Sequence, residues 1–247
     1  MPGTKNTPEI SIVFPCRNEQ ASLAECLEQA RQAFQQQDIQ PEIIVVDNAS
    51  TDDSPKIAKT HGAKLISCSR VGYGAALHCG ILSARGKWVA FCDADGSYPA
   101  RYFPDMLKAA KEANADLLLA NRLHGKILPK AMPFLNRYAG TPFLSYLIRV
   151  FFKIPVYDCN SGMRIINRAR YVDLPLRTAG MEYASEMLCL AALHHWKYKE
   201  WILPAFLPDT RGGRPPHLRR WKDGYQHLKT ILGIFFRKVF LKKSFLP

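Results

Sequence analysis

Residues 88–99 read WVAFCDADGSYP. The run from Trp88 to Cys92 is apolar throughout, as in a strand buried on both faces. Asp93 and Asp95 follow at once, with the small Ala94 between them. Two carboxylates so placed can share one divalent ion. Alternatively, one holds the ion while the other orients water or a ribose. The plainer alternative is a polar turn after a strand.

Working outward from that strand, short apolar runs recur: Ile10 to Phe14, Glu42 to Val46, Ala63 to Ser67 and Asp116 to Ala120. Between them lie helical patterns. One opens at Ser22 and Glu25 as a capping box and carries Leu23, Cys26, Leu27, Ala30 and Phe34 at helical spacing. Others begin near Ser54, span Gly74 to Ala84, and span Tyr102 to Glu112. Strands alternating with helices give an α/β fold with a mostly parallel, doubly wound sheet. Ligands of such sheets sit at the carboxyl ends of the strands. Polar clusters fall at those ends, after Phe14, Val46, Ser67 and Cys92.

Three clusters add to the first. In VVDNASTDDS (Val45 to Ser54), Asp47 can accept hydrogen bonds from a nucleobase or ribose. Asp53 suits a helix N-terminus, and Asp52 fits either use. In FPCRNE (Phe14 to Glu19), Pro15 ends the strand and Asn18 and Glu19 face the same edge as Asp47. RVGYGAALHCG (Arg70 to Gly80) has glycines that permit close backbone approach just before a helix, resembling an anion cradle.

Beyond Asn121 the pattern changes. Met132 to Phe152 is apolar and aromatic-rich but broken by Pro133, Gly140 and Pro142. Met163 to Asn167 reads as a strand, Met181 to His194 as a helix, and Trp201 to Leu207 as one apolar run. No linker separates this part. The reading is one domain over 1–247, with a ligand-binding α/β half at 9–121, a second half at 122–210 and a basic amphipathic segment at 211–247.

The chain has 247 residues, 47% of them hydrophobic, enough for a sizeable core. Its formal net charge of +13 favours polyanionic partners. Nucleic acid is set aside, because no nucleic-acid-binding module is recognisable and the basic residues gather at one end. The 7 cysteines form no C-x-x-C pair and read as reduced and mostly buried, which suits the cytoplasm. No secretory leader is recognised. The longest stretch without Lys, Arg, Asp or Glu, Val71 to Ala84, is shorter than the ~20 residues of a spanning helix.

The four clusters, in this order and spacing, resemble the GT-A fold of glycosyltransferase family 2. NRLHG (Asn121 to Gly125), MPFLNRYAGTPFLSYL (Met132 to Leu147), DCNSGMRIINR (Asp158 to Arg168) and GMEYASEM (Gly180 to Met187) narrow the likeness to polyprenyl- or dolichyl-phosphate sugar transferases. That resemblance implies nucleoside binding by Pro15, Glu19 and Asp47, with Arg17, Gly72, Gly74 and Ala94 as further candidate nucleotide-sugar contacts. It implies Mg²⁺ or Mn²⁺ and a diphosphate at Asp93 and Asp95. Arg122 and Arg164 would lie near the transferred sugar or an acceptor phosphate. Asp158, Ser161 and Gly162 would shape the acceptor pocket. Relatives of this type often carry Ser-Lys-Leu where this chain has Pro216-His217-Leu218, so Arg211, Arg214, Arg219 or Arg220 would supply the charge instead. His217 stays a candidate acceptor contact.

The expected reaction is inverting transfer of a sugar from a nucleoside diphosphate, UDP rather than GDP, to a lipid phosphate. A phosphate monoester is already a nucleophile at neutral pH. A hydroxyl acceptor would need a general base, with Glu182, Glu186 and Asp158 as candidates. A glycan or metabolite hydroxyl is the alternative acceptor. A sugar nucleotidyltransferase would normally show a Gly-rich, Arg-containing loop after the first strand, which FPCRNE lacks. The segment 211–247 holds ten Lys or Arg and one acid, interleaved with Phe and Ile. It is expected to dock peripherally on an anionic membrane at the cytoplasmic face. The alternative is a helix packed on the domain itself.

Overall fold

The computed structural model describes residues 7–210 and 220–241. Four strands, β1 (Ile10–Cys16), β2 (Glu42–Asp47), β3 (Lys64–Ser67) and β4 (Trp88–Phe91), run parallel in the order β3-β2-β1-β4. Helices α1 (Leu23–Ala33), α2 (Ser54–Thr60) and α3 (Tyr73–Ser83) connect them. A 3₁₀ turn at Ala100–Tyr102 leads into α4 (Phe103–Glu112) and β5 (Leu117–Asn121).

The later part adds to this sheet rather than building its own. After β6 (Lys126–Ile127), a π-helical turn over Asn136–Gly140 enters α5 (Thr141–Phe152). Strand β7 (Arg164–Asn167) then inserts between β4 and β5, antiparallel to both. Short α6 (Arg168–Tyr171) and α7 (Tyr183–Leu193) follow. Strand β8 (Tyr198–Ile202) pairs parallel with β5. The seven-stranded order is β3-β2-β1-β4-β7-β5-β8. The apolar run Trp201 to Leu207 is not one element: its start belongs to β8, and β9 (Ala205–Phe206) pairs with β6 in a separate ribbon.

Side-chain alternation divides the core in two. Ile10, Ile12, Phe14, Val45, Ala90 and Leu118 face α1, α2 and α4. Val13, Ile44, Val46, Phe91, Leu119 and Ile166 face α3, α5, α7 and the last helix, α8 (Arg220–Leu241). Each fully buried aliphatic side chain stabilises the fold by about 1.5–3 kcal/mol. Helix α8 packs on the domain: Ile231 and Ile234 are buried, and Phe235 stacks on Phe151 at 4.3 Å. All seven cysteines are free, and five are buried. Among the described residues, no helix is long and apolar enough to cross a membrane.

Candidate active site

The carboxyl ends of β1, β2 and β4 meet at one edge, where register sets Cys16 opposite Asp47. The loops leaving β1 and β2 are laced together. Asn18 N donates to Ser50 Oγ (3.0 Å), Thr51 N to Asn18 Oδ1 (2.6 Å) and Glu19 N to Ser54 Oγ (2.8 Å). Asp47 Oδ1 accepts from Ser50 N at 3.2 Å. Pro15, Arg17, Glu19 and Asp47 therefore share this edge, with Arg17 exposed and Glu19 buried. At the start of α2, Asp52 rather than Asp53 holds the turn, accepting from Ser54 N (3.0 Å) and Gln20 N (3.1 Å).

Asp93 and Asp95 stand half-exposed beyond β4, with Ala94 buried between them. Tyr73 OH donates to Asp93 Oδ1 at 2.8 Å. Burial, then the Asp93 charge, push the Tyr73 phenol well above its usual range, so it remains a donor. On its other side the Asp93 carboxylate lies against Gly162, where a Cβ would come within 2.7 Å of Oδ2. Asp95 Oδ1 accepts from Ser97 N (3.0 Å) and Ser97 Oγ (2.6 Å). The Asp95 carbonyl accepts from Thr210 N at 2.8 Å, so the chain returns to this turn just before Arg211. Ser22 was expected to cap α1 through its hydroxyl; instead Ser22 Oγ donates to Ala94 O at 2.6 Å, tying the helix start to the same turn.

Hard carboxylate oxygens at a strand end suit Mg²⁺ or Mn²⁺. Among the described residues, no group of three or more His, Cys, Asp or Glu is arranged to enclose a metal ion. The residues fit an ion that takes most of its remaining ligands from a diphosphate and water, as Mg²⁺ commonly does.

The expected anion cradle at Gly72 and Gly74 is not what these glycines form. Gly72 N donates to Asn48 Oδ1 (2.7 Å), Gly74 N to Gly180 O (3.2 Å) and Ala75 N to Ala179 O (3.1 Å). The N–H groups at the start of α3 are thus taken by protein acceptors. A Cβ on Gly74 would sit 2.4 Å from Tyr183 Cβ, so glycine here permits α3 to meet α7.

The arginines also differ from expectation. Arg122 is clamped by Asp158: Nε to Oδ2 at 2.8 Å and Nη2 to Oδ1 at 2.7 Å, with Asp158 fully buried. Its guanidinium lies over the Phe206 ring at 5.1 Å. Burial pulls the Arg122 pKa down, but Asp158 more than reverses this. Arg164, 1% exposed, donates to the carbonyls of Ser161 (3.1 Å), Ala184 (3.0 Å) and Cys159 (2.9 Å), and burial lowers its pKa. Both guanidinium groups are thus turned onto protein acceptors. Ser161 and Gly162 are buried against Tyr98, whose hydroxyl accepts from Gly162 N at 2.7 Å. Glu186 is occupied by Arg177 N, Thr178 N and Thr178 Oγ1. Glu182, at the start of α7, is half-exposed and accepts from Gly180 N at 3.3 Å. Arg211, Arg214 and His217 lie outside the described residues.

Sequence reasoning passed over Tyr73, Tyr98, Asn48 and Glu200. Tyr73 and Tyr98 sit inside motifs already singled out, where the glycines and carboxylates drew the reading. Glu200 had no signal. It lies on β8 and accepts from Tyr157 N (2.7 Å), Tyr198 OH (2.8 Å) and Asn121 Nδ2 (2.5 Å), fixing the loop that carries Asp158.

The Glycosyl transferase family 2 profile matches residues 11–173, spanning β1 to β7 and both aspartates of the turn. The chain belongs to glycosyltransferase family 2. It is 34% identical over 225 residues to the low-salt glycan biosynthesis hexosyltransferase Agl6 of Haloferax volcanii, covering 91% of this chain and 53% of that protein. The chain thus spans about half the length of that relative. A dolichyl-phosphate hexose transferase of the same organism is 26% identical over 196 residues, covering 79% of this chain and 82% of that one. Among solved structures, glucosyl-3-phosphoglycerate synthase of Mycobacterium tuberculosis superposes with a TM-score of 0.69 at 21% identity, over 97% of this chain and 81% of that one. That protein was captured with Mn²⁺, UDP and glucosyl-3-phosphoglycerate. The chain has the GT-A fold.

Proposed function

We propose that this glycosyltransferase moves a hexose, glucose or a close relative, from a UDP-sugar to a polyprenyl or dolichyl phosphate, with inversion. The observation that carries the reading is the Asp93–Asp95 turn at the carboxyl end of β4, beside the edge formed by Pro15, Arg17, Glu19 and Asp47. Mg²⁺ or Mn²⁺ bound there would neutralise charge developing on the departing diphosphate. Asp93 and Asp95 would hold it, and Asp47 and Glu19 would orient the nucleoside. The similarity to a protein named a dolichyl-phosphate hexose transferase supports the acceptor class.

Two of the three candidate bases also favour a phosphate acceptor, while the third, Glu182, stands half-exposed. Asp158 is paired with Arg122, and Glu186 is saturated by the 177–178 loop, so neither suits general-base work. A phosphate monoester needs no such base.

The lipid end of the acceptor calls for a membrane surface. Phe134 (77% exposed), Tyr138, Phe143 and Tyr146 stand out around the π-helical turn and α5. Trp221 (82%), Tyr225 and Phe236 stand out on α8. Arg137, Arg149, Lys222 and Arg237 are interleaved with them. Exposed aromatics with cations suit an anionic lipid interface at the cytoplasmic face. Because Ile231 and Ile234 face the core, docking would use the outer side of α8 together with the α5 region.

The test is a screen of UDP- and GDP-sugars against a short polyprenyl phosphate, the matching polyprenol and 3-phosphoglycerate. Transfer from a UDP-hexose to the polyprenyl phosphate alone is expected. Preference for the polyprenol or for 3-phosphoglycerate would overturn the acceptor reading, and preference for GDP-sugars the donor reading.

A further inference from the structure

The glycines of RVGYGA bracket a tyrosine whose hydroxyl arrives at the metal-site aspartate. Gly72 has φ +143°, a backbone shape that side chains rarely adopt, and a Cβ there would lie 2.2 Å from Ala179 O. Its N–H is anchored on Asn48 Oδ1, and Asn48 Nδ2 in turn donates to Arg70 O at 2.9 Å. On the other side of Tyr73, Gly74 N and Ala75 N are held by Gly180 O and Ala179 O. The backbone of Tyr73 is therefore pinned from the β2 loop and from the loop before α7. From there its hydroxyl reaches Asp93 Oδ1 at 2.8 Å, opposite the Gly162 backbone.

We infer that Tyr73 is a positioning residue that fixes the Asp93 carboxylate in the orientation needed to receive the metal-bound donor diphosphate. This rests on the reading of Asp93 and Asp95 as the donor's metal site. The glycine-rich segment then acts on the nucleotide at one remove: its shape aims a phenol at a carboxylate. It also ties the donor site to the 177–183 loop, since Ala179 and Gly180 hold the start of α3.

Tyr73→Phe removes one oxygen atom and keeps the ring, so the fold is expected to survive. UDP binding is measured by calorimetry with and without Mn²⁺ in wild type, Tyr73→Phe and Asp95→Ala, together with thermal midpoints. A hydrogen bond to a charged group implies that the Mn²⁺-dependent gain in UDP affinity falls roughly tenfold in Tyr73→Phe. Binding of UDP alone should stay near wild type, and the ligand-free midpoint should fall by no more than the few degrees one lost hydrogen bond accounts for. A merely structural role would weaken both titrations equally, and that result overturns the inference. If Asp95→Ala loses the Mn²⁺ gain while Tyr73→Phe keeps it in full, the metal site stands and the positioning role falls. If wild type shows no Mn²⁺ gain, both fall.

Discussion

Asp93 and Asp95 stand half-exposed at the end of β4, whereas Asp158, in the loop before β7, is wholly buried in a two-pronged clamp on Arg122. Both regions looked alike as sequence: carboxylates near small residues and an arginine. Their surroundings assign them different work. The turn after β4 has its backbone tied by Ser22 and Thr210, and its carboxylates accept from Tyr73 OH and from Ser97 while staying half-exposed. In the later region Arg122 is turned onto Asp158, Arg164 onto three carbonyls and Glu186 onto the 177–178 loop. On the proposed reading, the half-exposed carboxylates of the donor site and the buried frame-holding ion pair should respond to mutation in opposite ways.

The largest contrast is at the turn itself. Asp95→Ala should lower transfer by about a thousandfold or more, since metal stabilisation of a leaving diphosphate is worth several kcal/mol. Its urea midpoint should barely change, as read by steady-state kinetics beside urea melts. Arg122→Ala should do the reverse. It leaves Asp158 buried without its cation, which costs about 3–5 kcal/mol of stability. Urea unfolding would show this loss, and an unchanged midpoint would break the contrast.

A second frame residue adds a pH signature. His227 on α8 is 4% exposed, and its Nδ1 lies 2.8 Å from Ser185 Oγ on α7. Burial, with Arg164 nearby, depresses its pKa to about 4. The unfolded chain binds this proton more readily, so the stability that neutral His227 contributes is present above about pH 6.5. It is lost as pH falls toward 4, by up to about 3 kcal/mol. His227→Gln should flatten the difference between urea melts at pH 7.5 and pH 4.5, relative to wild type.

The parallel half was legible because its strands are continuous apolar runs and its polar clusters fall at strand ends. β1, β2 and β4 lie where the periodicity sets them, to within one or two residues. β7 was legible as a strand, but its antiparallel place between β4 and β5 was not, since no local pattern encodes a long-range partner. The partners of the arginines were hidden for a related reason. Sequence shows their charge but not what lies opposite, and Glu200 and Asp158 meet the β5 end only after the chain has folded back. Ser22 shows the same at small scale: it sits where a cap belongs, yet its hydroxyl finds Ala94 O.

That last contact gives the smallest effect. Ser22→Ala leaves the buried Ala94 carbonyl without this donor and should cost about 1 kcal/mol. A differential scan would show it as a drop of a few degrees in Tm.

Transfer from UDP-hexose to a short polyprenyl phosphate, assayed with Mn²⁺, after EDTA, and after Mn²⁺ is restored, tests most directly whether the Asp93–Asp95 turn works as a metal-dependent donor site. The expected result is loss of product in EDTA and recovery on adding Mn²⁺ or Mg²⁺, with no recovery in Asp95→Ala. Full wild-type activity in EDTA would contradict it.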